Sequence, residues 1–131
     1  MDTILQNLFT ALLSLSVVLA AAPNIYTVDN QYTNVQTIPH IEEKDLPKVL
    51  LKISSCESSN RQFDEQGNVL RGKVNPRDIG RFQINLDYHA KNAKTMDVDL
   101  MTENGNRDYA YWLYKTQGTK PWRLSKKCWD I

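Results

Sequence analysis

Histidine and cysteine are scarce in this chain of 131 residues, with two of each. His40 and His89 stand alone, at no spacing that suits a metal, so neither a metal site nor a cofactor is expected. No Ser-His-Asp set is in evidence, and no histidine is placed to activate Cys56 as a nucleophile. Charge of one sign is lacking too: 16 Lys and Arg stand against 15 Asp and Glu, a net +1 that argues against a dedicated nucleic-acid binder. No repeat, low-complexity tract or second domain is visible, and the length suits one modest domain with a leader.

The one long apolar run is at the start. Residues 4–22 carry no charge and end in Leu19-Ala20-Ala21-Ala22, a small-residue finish suited to signal cleavage. Residues 1–22 are therefore expected to be a signal peptide, and the protein to be secreted or to lie in a cell envelope. An uncleaved membrane anchor is the alternative, because Asp2 replaces the usual basic start and Pro23 follows the best cleavage site. Residues 23–44, rich in Asn, Gln, Thr and Tyr and interrupted by Pro39, read as a flexible tether.

The folded domain is expected over 45–131, where 15 Lys and Arg exceed 11 Asp and Glu by four. Asp45 is a candidate N-cap, with Pro47 in the first turn. Leu46, Val49, Leu50 and Ile53 then recur at helical spacing, and Glu57 falls on the same stripe. A carboxyl aimed inward is penalised when ionised, so its pKa rises and it keeps its proton near neutral pH, as a general acid must. Ser58 is read as a helix terminator. Gly67-Asn68 and Asn75-Pro76 bracket a short strand at 69–74, predicting a small hairpin, and 78–85 is read as a third short strand or an extended turn. Asn85 is placed to cap a helix running to Met96; Thr102 or Asn104 starts a last helix that Gly118 stops. The tail reads as irregular and aromatic. Pairing of Cys56 with Cys128 depends on the compartment; export favours it, and the closed loop is worth about 4 kcal/mol in the chain-entropy model.

Cys56-Glu57-Ser58-Ser59-Asn60, Gly80-Arg81-Phe82-Gln83 and Pro121-Trp122 with Cys128 resemble the resuscitation-promoting-factor and lytic-transglycosylase branch of the lysozyme superfamily. Asp78-Ile79-Gly80-Arg81-Phe82-Gln83-Ile84-Asn85 is similar to the D-x-G-x-x-Q-I-N segment of animal-type lysozymes. The resemblance implies a mostly helical α+β, lysozyme-like fold with a cleft beside a small hairpin. It also implies a substrate, the β-1,4 glycan strands of peptidoglycan, with chitin as another candidate, and a monomeric enzyme without nucleic-acid partners.

By position, Glu57 is the acid that protonates the glycosidic oxygen. At Asp78 the two patterns diverge: one has a second carboxylate there, and the other has none. Carboxyls roughly 5 to 5.5 Å apart suit retention and roughly 6.5 to 9.5 Å suit inversion; alternatively Asp78 caps a turn. Gln83 and Asn85 are candidate sugar contacts, with turn bonding and helix capping as their structural alternatives. Trp122 and, less strongly, Tyr111 are candidates to stack a sugar, while Trp112 and Trp129 are assigned to packing. The expected activity is a muramidase-type glycosidase. Its alternatives are a lytic transglycosylase that forms 1,6-anhydro products and a non-catalytic glycan-binding module.

Overall fold

The computed structural model describes residues 36–131. They form a mostly helical α+β fold with one small antiparallel hairpin. A 3-10 turn, Glu43–Asp45, leads into helix α1, Lys48–Ser58. Strands β1, Asp78–Ile79, and β2, Ile84–Asn85, pair antiparallel, with Asp78 opposite Asn85 and Ile79 opposite Ile84. Helices α2, Leu86–Thr95, and α3, Glu103–Gln117, follow, and a second 3-10 segment, Lys120–Ser125, runs into α4, Lys126–Trp129.

The domain begins earlier than Asp45. Ile41 is buried in the core, its N–H donates to Asp108 Oδ1 at 3.0 Å, and both Glu43 oxygens accept from Arg81, at 2.6 and 2.7 Å. The last residues of the expected tether therefore pack on the domain; 23–35 lie outside the described residues. Nor does Asp45 cap α1: the N-cap is Pro47, without a side-chain bond, and Asp45 sits in the preceding 3-10 turn.

Along α1, Leu50 and Ile53 are fully enclosed and Leu46 is buried, as the stripe requires. The helix ends on Ser59 and Asn60, both at positive φ, and the Asn60 N–H reaches back to the Ser54 carbonyl at 3.1 Å. This left-handed finish satisfies carbonyls that the helix would leave orphaned. It also turns the chain sharply just after Glu57.

The hairpin differs from the expectation in place. Residues 69–74 form only isolated bridges, Phe63 with Val69 and Arg71 with Ile79, whereas 78–85 is itself the two-stranded hairpin. Gly80 and Gln83 both take positive φ in the connecting turn, so the chain reverses instead of extending. Side-chain amides from elsewhere hold that turn: Gln62 Oε1 accepts from the Arg81 N–H at 2.8 Å, and Asn106 Oδ1 accepts from the Phe82 N–H at 2.9 Å. A Cβ on Gly80 would stand 2.4 Å from Gln62 Oε1, so close approach demands glycine there.

Asn85 caps α2 by accepting from the Asp87 N–H at 3.0 Å, Thr102 caps α3 by accepting from the Gly105 N–H at 3.0 Å, and α3 stops at Gly118. The tail is largely helical, with a kink at Trp122, and a disulfide between Cys56 and Cys128 ties α4 to the end of α1, with Cα atoms 6.0 Å apart.

One expectation is withdrawn. No helix among the described residues is long and apolar enough to cross a membrane. The anchor alternative, and the localisation built on it, fall on residues 1–22, outside the described residues, and nothing described supports a membrane attachment.

Candidate active site

The last turn of α1, Ser59 and Arg61 after it and the 70–75 loop border a pocket of about 420 Å³. Glu57 lines it from α1, Asp78 from β1, and Gln83 from the turn of the hairpin. Gly72 forms part of its wall because only glycine fits there: an added Cβ would meet the Asn75 carbonyl at 2.5 Å and Gln83 Oε1 at 2.9 Å. The Gly72 N–H donates to the Asp78 carbonyl at 2.8 Å, which ties the loop to the first strand.

Glu57 is half-buried, and burial is the main cause that lifts its carboxyl above the ordinary range. A hydrogen bond from Ser125 pulls the other way, and the negative charge of Asp78 adds a smaller push upward. The two carboxyls thus feel each other across one pocket.

Ser125 is the partner that sequence reasoning missed. Its hydroxyl reaches Glu57 Oε1 at 2.5 Å and the Trp122 carbonyl at 3.0 Å, while its oxygen accepts from Trp129 Nε1 at 3.1 Å. The single hydroxyl proton cannot serve both acceptors. With Glu57 ionised it goes to the carboxylate; with Glu57 protonated, the carboxyl donates to the Ser125 oxygen and the hydroxyl turns to Trp122. Both protonation states therefore have a complete bond set. A signal for Ser125 exists in the sequence, because it lies one helical turn before Cys128, whose partner adjoins Glu57.

The other candidates divide. Asp78 faces the pocket, but its Oδ1 accepts from Asn85 Nδ2 at 2.6 Å. Asn85 is thus occupied twice, by Asp78 and by the α2 cap, and does not line the pocket. Gln83 lines it, although its Nε2 donates to the Gly80 carbonyl at 2.8 Å. Trp122 is corrected: it is only 4% exposed, and its Nε1 donates to the Phe82 carbonyl at 2.9 Å, so it is a core residue and offers no face to a sugar. Tyr111 is half-buried, packs on the core from α3 and is not part of the pocket wall. Three cations, Arg61, Arg71 and Lys73, line the pocket without having been singled out beforehand.

Among the described residues no three His, Cys, Asp or Glu side chains gather to hold a metal ion. The site brings together a carboxyl of raised pKa and a second carboxyl that lines the same pocket. No family model, no curated protein and no solved structure matches the chain.

Proposed function

We propose that this protein is a muramidase-type glycosidase that cleaves β-1,4 bonds of peptidoglycan glycan strands, with Glu57 as general acid. The observation that carries the reading is the half-buried Glu57 carboxyl, held above its ordinary pKa in a pocket that Asp78 also lines. The order and spacing of the lysozyme-superfamily segments, and a hairpin set beside the end of α1, support a lysozyme-like cleft at this place.

In the proposed reaction the bond between the anomeric carbon and the bridging oxygen breaks, and its electron pair passes to that oxygen. The Glu57 proton joins it, so the leaving sugar departs as a neutral hydroxyl instead of a poor alkoxide. Positive charge spreads over the remaining ring, where Asp78 stabilises it. Water then bonds to the anomeric carbon and returns a proton to Glu57, closing the cycle. Gln83 adds hydrogen-bonding surface to the pocket.

A second reading draws on the Asn85 bond. Because Asp78 is engaged in that contact at 2.6 Å, Glu57 could serve alone as acid and then as base, and the muramic acid 6-hydroxyl would capture the ring carbon to give an anhydro sugar. Mass spectrometry of digested peptidoglycan separates the two: reducing-end products are expected, and mainly anhydromuropeptides would move the assignment to a lytic transglycosylase. Glu57→Gln tests the enzyme reading itself. Turnover is expected to fall by at least about 10²-fold to 10⁴-fold, while cleavage at the original rate would refute it. If glycan binds without ever being cleaved by the unaltered protein, the chain is a binding module.

A further inference from the structure

The pocket holds more charge than the proposed chemistry uses. Arg61 follows the left-handed turn that ends α1, and Arg71 and Lys73 flank Gly72 in the facing loop; all three are exposed and line the pocket. Backbone oxygens hold the two arginines: Arg61 Nε donates to the Ser58 carbonyl at 3.3 Å and Arg71 Nη1 to the Pro76 carbonyl at 3.0 Å. Among the described residues none of the three lies within ion-pair distance of a carboxylate, although Arg77, Arg81 and Lys126 each have one. Burial, Ser125 and Asp78 act on Glu57, and no cation does. A cation against that carboxyl would strip its proton.

Positive charge without an ion-pair partner among the described residues therefore borders the pocket from two segments. A neutral polymer gives such charges nothing to bind, and the Asp78 carboxylate in the pocket would repel an anionic one unless cations offset it. We infer that Arg61, Arg71 and Lys73 form a carboxylate-binding border, so that the pocket selects a glycan whose substituents carry carboxylates beside the scissile bond over a neutral glycan of the same backbone. The inference rests on the glycan-cleaving reading for its ligand, but binding tests it separately from cleavage.

The test uses the full chain carrying Glu57→Gln, with soluble peptidoglycan strands that either keep their carboxylates or have had them amidated. At low ionic strength the carboxylate form is expected to bind roughly threefold to tenfold more tightly, the sum of a few exposed ion pairs. The advantage should shrink as added salt shortens the screening length to about 10 Å or less. Arg71→Ala with Lys73→Ala should narrow the preference. Lys73→Glu, a charge reversal at an exposed side chain, should narrow it further. Equal affinity for the two forms, or a preference that survives both variants, overturns the inference. If the unaltered protein cleaves strands without preferring the acidic form, the border alone fails. If it prefers them but never cleaves, the glycosidase reading fails and the border stands.

Discussion

Replacing Cys56 and Cys128 together by alanine opens a loop whose ends are 72 positions apart and which contains the pocket, the hairpin, α2 and α3. In the chain-entropy model a cross-link over a loop of this length removes enough freedom from the unfolded chain to be worth about 4 kcal/mol at 25 °C. Net stabilities of domains are about 5–15 kcal/mol, so the change takes away a large share. For a domain of this size it corresponds to a fall in Tm of roughly 15–30 °C. The native contacts around the bridge do not vanish with it, since Trp122 and Trp129 are buried in their own right. What does loosen is the register between α4 and the end of α1. Ser125, which bonds Glu57, lies one helical turn before the bridged Cys128. Urea unfolding followed by tryptophan fluorescence, with and without reductant, measures the stability term, and NMR titration of the Glu57 carboxyl measures the register. Expected are a large loss of stability on reduction and an upward movement of the Glu57 pKa in the double variant below its melting range. A loss under about 1 kcal/mol with an unmoved titration would refute the reasoning, because the loop length and the shared position of Cys128 and Ser125 leave no other outcome.

Glu57 donates its proton only while protonated, so activity is expected to fall as pH rises through its raised pKa. Ser125→Ala removes the bond that favours the ionised form and should move that limb to higher pH, whereas Asp78→Asn removes a repelling charge and should move it lower; carboxyl NMR reads both shifts even where turnover is lost, and shifts of the same sign would contradict the assignment. The same sign holds for folding: a folded-state pKa above the unfolded one adds stability at acid pH and loses it as pH rises, so Glu57→Gln should raise Tm at neutral pH more than at acid pH in calorimetry. Trp122→Phe leaves the buried Phe82 carbonyl without its donor and should cost about 1–3 kcal/mol in urea unfolding; a loss of glycan affinity with no loss of stability would restore the sugar-stacking reading of this residue. Asn85→Ala should cost about 1 kcal/mol for the α2 cap and also free Asp78, which slower turnover out of proportion to stability would reveal.

Local signals were legible in the amino-acid order because their physics is local. The apolar stripe of α1 aims Leu50 and Ile53 inward wherever the helix is placed, Asn85 and Thr102 cap because their side chains reach N–H groups two or three residues on, and Gly118 ends α3 by its own backbone freedom. Glu57 was legible for the same reason, being one more position on a stripe. The start of the domain was not, since Ile41 and Glu43 are held by the core and by Asp108 and Arg81, which are distant in sequence. Arg81 misled the alternation over 78–85: its side chain is 5% exposed and paired with Glu43, so the polar member of the pattern is also inside.

By itself, then, the sequence determined α1, α2 and α3, the caps of the latter two and the acid on the first, because periodicity and capping depend on neighbours a turn away. Only the tertiary structure decided what surrounds that acid. The hairpin moved to 78–85 because Gln62 and Asn106 supply the amides that hold its turn. Trp122 went to the core because the Phe82 carbonyl lies within reach of its ring nitrogen. The disulfide ties the segment carrying Ser125 to the end of α1, a left-handed turn leads into Arg61, and the Gly72 N–H bond to the Asp78 carbonyl holds Arg71 and Lys73 in the facing loop. Glu57 keeps its raised pKa through burial, which belongs to the assembled fold and to no single segment of it.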